Sequence, residues 1–122
     1  MPFTKTTRPI HLRAGSSLKG LAQGWRREGA IRMHVALSIA GLIALGAAQA
    51  PGSWIMASAI LMLVGLSFEL VNAAVEALLD RLHPDQDDQI GAAKDLCSAG
   101  AFLLNVAAAG AVGSGLIATL QP

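Results

Sequence analysis

The sequence predicts an all-α integral membrane protein with three transmembrane helices preceded by an amphipathic surface helix. Of 122 residues, 53% are hydrophobic and 14% charged, and the mean hydropathy is +0.53. This composition is typical of integral membrane proteins rather than soluble domains. Charge is absent from residues 33–68 and 96–122, which gives room for helices of the ~20 residues that a bilayer requires. We expect a single membrane-embedded domain over residues 1–122.

The N-terminal segment carries most of the positive charge. Seven of the nine Lys and Arg residues precede the first apolar segment, and such crowding is typical of the cytoplasmic side of a membrane. A surface helix is expected at about residues 10–25, where Leu12, Leu18, Leu21 and Trp25 share an apolar face. No aromatic platform accompanies the basic residues, which argues against nucleic-acid binding. We therefore expect the N-terminus at the cytoplasmic face of the membrane.

Three apolar segments follow, and transmembrane helices are expected at about residues 30–48, 54–82 and 91–120. Pro51-Gly52-Ser53 indicates a tight turn, with Ser53 as the cap of the next helix. A lone His34 at the start of the first span is interpreted as a satisfied interfacial residue. The last segment is rich in Gly and Ala, which permits close helix contacts, and we interpret it as a packing segment.

The second span ends in a polar stripe. Glu69, Asn72, Glu76 and Asp80 fall within ~80° of one another on a helix. A charge within a membrane helix costs ~2.5–3.5 kcal/mol on insertion scales and usually marks function. The alternative is a helix that has simply become polar at its cytoplasmic end.

The polar residues predict phosphoryl-transfer chemistry. Several carboxylates with one Asn suit Mg²⁺, which takes oxygen ligands and bridges phosphates. A further carboxylate can accept a proton from an alcohol, and a Lys can neutralise phosphoryl charge. The Walker A loop of soluble nucleotide-binding proteins is absent from the sequence. The constellation comprises Glu28, Glu69, Asn72, Glu76, Asp80, Lys94, Asp95 and Ser98.

Two of the polar features have other interpretations. Glu28, amid Arg26, Arg27 and Arg32, is either half of a surface ion pair or a carboxylate level with the acidic end of the second span. The polar loop at residues 83–89 is either solvated or a lid over a nucleotide. Three helices cannot enclose both a lipid and a nucleotide, so we expect an oligomer that shares sites between subunits.

At these motifs the chain resembles the bacterial integral-membrane diacylglycerol kinase family, which also includes undecaprenol kinases. The resemblance covers nearly the whole chain. It rests on Glu69-x-x-Asn72-x-x-x-Glu76-x-x-x-Asp80-Arg81 followed by Gly91-x-x-Lys94-Asp95-x-x-Ser98-Ala99. Matches to the family's N-terminal pattern are Ala14, Lys19, Gly20, Trp25, Glu28 and Arg32.

The resemblance implies a homotrimer that phosphorylates a lipid alcohol with ATP. Glu69 would be the general base, with Asn72 and Lys94 as its catalytic partners, and Glu28 and Glu76 would hold Mg²⁺. Lipid contacts are implied for Arg13, Lys19, Arg32, Glu69 and Ser98. Nucleotide contacts are implied for Ser16, Glu28, Glu76, Asp80, Asp85, Asp87, Lys94 and Asp95.

Some features divide the family's branches. The loop has Asp85-Gln86-Asp87 in place of a Glu-x-His arrangement, and Ser16 stands where an aromatic is usual. Arg32-x-His34 resembles the undecaprenol kinase branch, whereas Asp80-Arg81 resembles the diacylglycerol branch, which we favour. A small ion-conducting protein and a structural assembly subunit are the rival classes. Conduction requires carboxylates spread across the membrane, and here they cluster at one end.

Overall fold

The chain folds into α-helices joined by short connections. The structure, a computed structural model, describes residues 9–85 and 87–121, without the side chains of Ile10, His11 and Arg13. Its helices are α1 (Ile10–Arg27), α2 (Gly29–Ala47), α3 (Gly52–Leu82) and α4 (Asp88–Ala118). No strand occurs in these residues, which confirms the predicted all-α class.

Three of the helices are long and apolar enough to cross a membrane. They are α2, α3 and α4. Large apolar side chains such as Ile43, Leu63 and Leu103 lie exposed, as expected for surfaces that contact lipid. This confirms the prediction of three such helices.

The two long helices begin at positions that the sequence did not predict. Helix α3 begins at Gly52, because the Pro51 carbonyl accepts hydrogen bonds from the amides of Trp54 and Ile55. Ser53 lies inside the first turn, so its predicted capping role is wrong. Helix α4 begins at Asp88 because the Asp87 carboxylate accepts from the amides of Gln89 and Ile90, at 2.8 and 3.2 Å. An N-cap carboxylate satisfies amides that have no partner within the helix.

The turn after α2 has a left-handed residue that is not glycine. Gln49 has φ 54°. Its amide donates to the Gly46 carbonyl at 3.0 Å, and the Ala50 amide donates to the Leu45 carbonyl at 2.9 Å. These two bonds form a Schellman motif, whose left-handed position is usually occupied by glycine. The turn reverses the chain between α2 and α3.

Small residues bring α4 close to its neighbours. Ala101, Ala108 and Ala111 are buried, and a Cβ on Gly115 would lie 2.7 Å from Leu45 Cδ2. Helices in a membrane associate largely by such close contacts. The expected packing role of α4 is confirmed, and α3 and α4 make the most extensive helix pair in the described chain.

Candidate active site

A polar cavity of about 360 Å³ lies where the corner between α1 and α2 meets α3 and α4. The helices present carboxylate, amide and hydroxyl groups to it, separated by small and apolar residues. Three of the four residues of the predicted stripe face this cavity, and Asp80 does not. The polar residues lining it are Glu28, Glu69, Asn72, Glu76, Ser98 and Asn105.

The corner between α1 and α2 places Glu28 at the cavity. Glu28 is extended, with φ −107° and ψ 115°, and separates two helices that would otherwise be continuous. Arg32 is directed elsewhere, because its Nη1 donates to the Trp25 carbonyl at 2.9 Å. Within residues 9–85 and 87–121 the single ion pair joins Lys94 to Asp80. The ion-pair interpretation of Glu28 is therefore wrong for the described chain.

Asn72 and Glu76 form the floor of the cavity. Asn72 Nδ2 donates to Glu76 Oε1 at 3.0 Å, whereas Asn72 Oδ1 is buried and has no hydrogen-bond partner among the described residues. The cavity therefore has carboxylate oxygens and one unused amide oxygen, which are ligands that Mg²⁺ prefers. No three acidic, His or Cys side chains of the described chain are close enough to share an ion. Mg²⁺ ordinarily takes one or two carboxylates and completes its shell with phosphate and water, so the residues fit this ion.

Glu69 is held by a helix from the other side of the cavity. Asn105 Nδ2 on α4 donates to Glu69 Oε1 at 2.9 Å. Asn105 Oδ1 lies 2.8 Å from Nδ1 of His34, and Nε2 of His34 lies 2.8 Å from the Met62 carbonyl oxygen. Three helices thus contribute to one hydrogen-bonded chain that ends at Glu69.

A second, apolar groove adjoins the polar cavity. It has a volume of about 550 Å³ and shares Ala30, Glu69 and Asn105 with the polar cavity. Beyond Glu69 it continues between the helices past Leu37 to Val112. Glu69 therefore lies where the apolar groove meets the polar cavity. Such a junction suits a lipid whose headgroup reacts while its chains stay in an apolar environment.

Most of the other predicted nucleotide residues line a separate cleft of about 600 Å³ beside the loop between α3 and α4. Lys94 pairs there with Asp80, one turn beyond Glu76. Within the described chain of one protomer, this cleft and the polar cavity have no lining residue in common. The predicted residues that line the cleft are Asp80, Asp85, Asp87, Lys94 and Asp95.

The predicted residues on α1 lie apart from both sites. Ser16 is exposed and donates to the Leu12 carbonyl at 3.0 Å, and Lys19 is exposed. Neither residue lines the polar cavity or the loop cleft. The side chain of Arg13 lies outside the described part of the structure.

Comparison with known proteins identifies the family. The family model described as prokaryotic diacylglycerol kinase matches residues 15–117. The chain belongs to this family. A diacylglycerol kinase of a Sinorhizobium species is 35% identical over 107 residues, covering 87% of this chain and 78% of the relative. The diacylglycerol kinase of Escherichia coli K12 is 33% identical over 96 residues, covering 78% of each chain. The protein is accordingly a lipid kinase, and the ion-conducting and structural classes are set aside.

Sequence reasoning missed Asn105, which contacts the catalytic candidate Glu69 of this lipid kinase, and it did not connect His34 to that contact. The segment containing Asn105 was interpreted as packing alone, although Asn105 is its only carboxamide between Cys97 and Ala118. That isolation in an apolar helix was the available signal, since buried amides require partners. His34 is satisfied, as predicted, but it is buried among three helices rather than interfacial.

Proposed function

We propose that this lipid kinase transfers the γ-phosphoryl group of ATP to diacylglycerol and forms phosphatidic acid at the cytoplasmic face of the bacterial inner membrane. The observation that carries the proposal is the position of Glu69, between an apolar groove and a polar cavity. Acyl chains fit the groove, and the hydroxyl of the glycerol then lies beside the Glu69 carboxylate. The relatives named diacylglycerol kinase support this choice of substrate.

In the proposed reaction, Glu69 accepts the proton of the lipid hydroxyl. The hydroxyl oxygen forms a bond to the γ-phosphorus, the bond from that phosphorus to the β–γ bridging oxygen breaks, and ADP leaves. Asn72 fixes Glu76, and Glu28 and Glu76 are the residues that would hold Mg²⁺. The bound ion would offset charge on the phosphates, which is the main demand of phosphoryl transfer.

The nucleotide is assigned to the loop cleft and the lipid to the groove. Lys94 supplies the positive charge at the cleft, with Asp80, Asp85, Asp87 and Asp95 around it. In the proposed homotrimer Ser16 is a further candidate for nucleotide contact, and Lys19, Arg32 and Ser98 are the candidates for contact with the lipid headgroup. Because the cleft and the polar cavity do not meet within one protomer, we assign the working enzyme to a homotrimer whose sites combine residues of two subunits.

An ATP-consumption assay in mixed micelles tests this function. The parent enzyme is compared on diacylglycerol and undecaprenol, with Glu69→Gln as the matched variant. We expect a higher kcat/KM on diacylglycerol, and a kcat for Glu69→Gln lower by roughly 10²–10⁴-fold, the usual contribution of a general base. A preference for undecaprenol would reassign the substrate. Activity of an assembled Glu69→Gln enzyme within a few-fold of the parent would remove Glu69 from the role of base.

A further inference from the structure

The hydrogen-bonded chain behind Glu69 constrains where protons can lie. The chain runs from the Met62 carbonyl through His34 and Asn105 to Glu69, with successive contacts of 2.8, 2.8 and 2.9 Å. Gly65 makes it possible, because a Cβ at that position would lie 2.8 Å from His34 Cε1. This hydrogen-bonded chain joins residues of α2, α3 and α4, so it forms only when the three helices are packed together.

The donor and acceptor inventory of these groups leaves few arrangements. A carbonyl oxygen only accepts, so Nε2 of His34 must carry a proton toward Met62. Asn105 directs Oδ1 to His34 and Nδ2 to Glu69. In this orientation Nδ1 of His34 must also carry a proton, which makes the ring an imidazolium. The opposite amide orientation makes His34 neutral but places Oδ1 against Glu69, which must then be protonated. With Glu69 ionised, every other arrangement sets two acceptors face to face at hydrogen-bond distance.

An ionised Glu69 is therefore compatible only with a charged His34. Few other titratable groups of the described residues lie near this hydrogen-bonded chain. From α3 the polar cavity receives Glu69 and Glu76, and from the corner between α1 and α2 it receives Glu28. The part of α4 that lines the cavity and the groove contributes no charged side chain. His34 is thus the titratable group of the described chain that is linked to Glu69 through a single intervening amide.

We propose that Asn105 and His34 are positioning residues for Glu69, with His34 doubly protonated whenever Glu69 is the ionised base. Asn105 occupies one carboxylate oxygen and leaves the other to the lipid hydroxyl. A doubly protonated His34 fixes the orientation of the Asn105 amide, so that its Nδ2 donates to the carboxylate. The inference rests on the proposed role of Glu69, although the protonation of His34 can be measured independently of that role.

Nitrogen NMR of the assembled enzyme with isotope-labelled histidine tests the protonation state. His34→Gln identifies the His34 signals among those of the three histidines. Near neutral pH we expect both ring nitrogens of His34 to carry protons in the parent. In Glu69→Gln and in Asn105→Leu we expect a singly protonated, neutral ring. In neither variant does an amide link the ring to an ionised carboxylate, so neither variant requires a charged ring. A neutral His34 in the parent at a pH where Glu69 is ionised would overturn the proposal, even if Glu69→Gln abolishes turnover.

Steady-state kinetics test the positioning role. Asn105→Leu and His34→Leu should lower kcat by roughly 10–100-fold, the effect of a misplaced catalytic group, while KM for ATP stays within about twofold. His34→Gln can still donate to Asn105 Oδ1 and should retain more activity than His34→Leu. Ser58→Ala is the matched control, since Ser58 is a fully buried polar residue of α3 without a hydrogen-bond partner.

Two further outcomes separate this inference from the proposed function. If Asn105→Leu assembles with the parent's oligomeric size and keeps its kcat, the positioning role is refuted. If Glu69→Gln remains active while the NMR signals of His34 change as expected, the hydrogen-bonded chain stands and the base assignment fails.

Discussion

Asn72 and Glu76, one turn apart on α3, share a hydrogen bond of 3.0 Å that orients the Glu76 carboxylate in the polar cavity. The bond engages Oε1 of Glu76 and leaves its other oxygen available. Asn72 Oδ1 is buried and has no partner in the described chain. A buried acceptor without a donor is costly, and a cation with its water shell would supply what this oxygen lacks.

The first prediction concerns magnesium. Glu76→Gln and Glu28→Gln each replace a proposed anionic ligand of Mg²⁺ by a neutral one, so the Mg²⁺ concentration for half-maximal activity should rise about tenfold or more. Excess Mg²⁺ should partly restore the rate, because the other ligands remain. Titration of activity against Mg²⁺ at saturating ATP measures the shift. A variant with full activity and the parent's metal dependence would show that its carboxylate is not a ligand.

The second prediction concerns the ion pair of Lys94 and Asp80. Their side chains are 31% and 65% exposed, and exposed pairs contribute only ~0–1 kcal/mol to stability. Lys94→Met should therefore leave thermal stability close to that of the parent. It should raise KM for ATP by roughly 10–100-fold, since a charge-assisted contact to phosphate is worth ~1.5–3 kcal/mol.

Arg81→Met is the control for this experiment, because Arg81 is an exposed cation of the last turn of α3 that has no assigned contact. Its KM for ATP should match that of the parent. An unaltered KM in Lys94→Met, or an equal increase in both variants, would contradict a specific nucleotide contact by Lys94.

The third prediction concerns orientation in the membrane. Gly52 opens α3, is exposed, and has no atom within 4 Å of an added Cβ, so Gly52→Cys is structurally mild. In a Cys97→Ala background, an impermeant thiol reagent should label position 52 from outside intact cells, because the basic segment marks the cytoplasmic side.

Pro84→Cys, in the exposed loop at the opposite end of α3, is the matched site and should react only after the cells are opened. The reverse labelling pattern at the two positions would invert the proposed topology.

The fourth prediction concerns the turn between α2 and α3. Gln49 holds φ 54° in the Schellman motif, and a left-handed conformation costs a residue with a Cβ ~1–2 kcal/mol. Gln49→Gly should remove that strain, partly offset by the greater flexibility of glycine in the unfolded chain. We expect a net stabilisation of ~0.5–1 kcal/mol in a reversible unfolding assay, with kcat unchanged. Destabilisation would mean that the Gln49 side chain makes a contribution larger than the strain.

The sequence by itself determined the helices and the residue types of the site. Apolar runs without charge specify membrane-spanning helices because placing an unpaired charge in hydrocarbon costs free energy. This property depends only on residues that are close together in sequence. The spacing from Glu69 to Glu76 likewise predicted a shared helical face. The sequence did not determine the exact first residues of α3 and α4. Pro51 and Asp87 are the N-caps in the structure, but neighbouring residues were also acceptable as helix starts.

Only the tertiary structure decided what holds Glu69. Asn105 is 36 residues from Glu69 in sequence, and His34 is 71 residues from Asn105. Their meeting depends on how α2, α3 and α4 rotate and pack, which is set by close contacts such as that of Gly65 with His34. The same packing separated Lys94 and the loop aspartates from the polar cavity. Helical periodicity places residues on a face of one helix, but hydrogen bonds between helices require the geometry of the whole bundle.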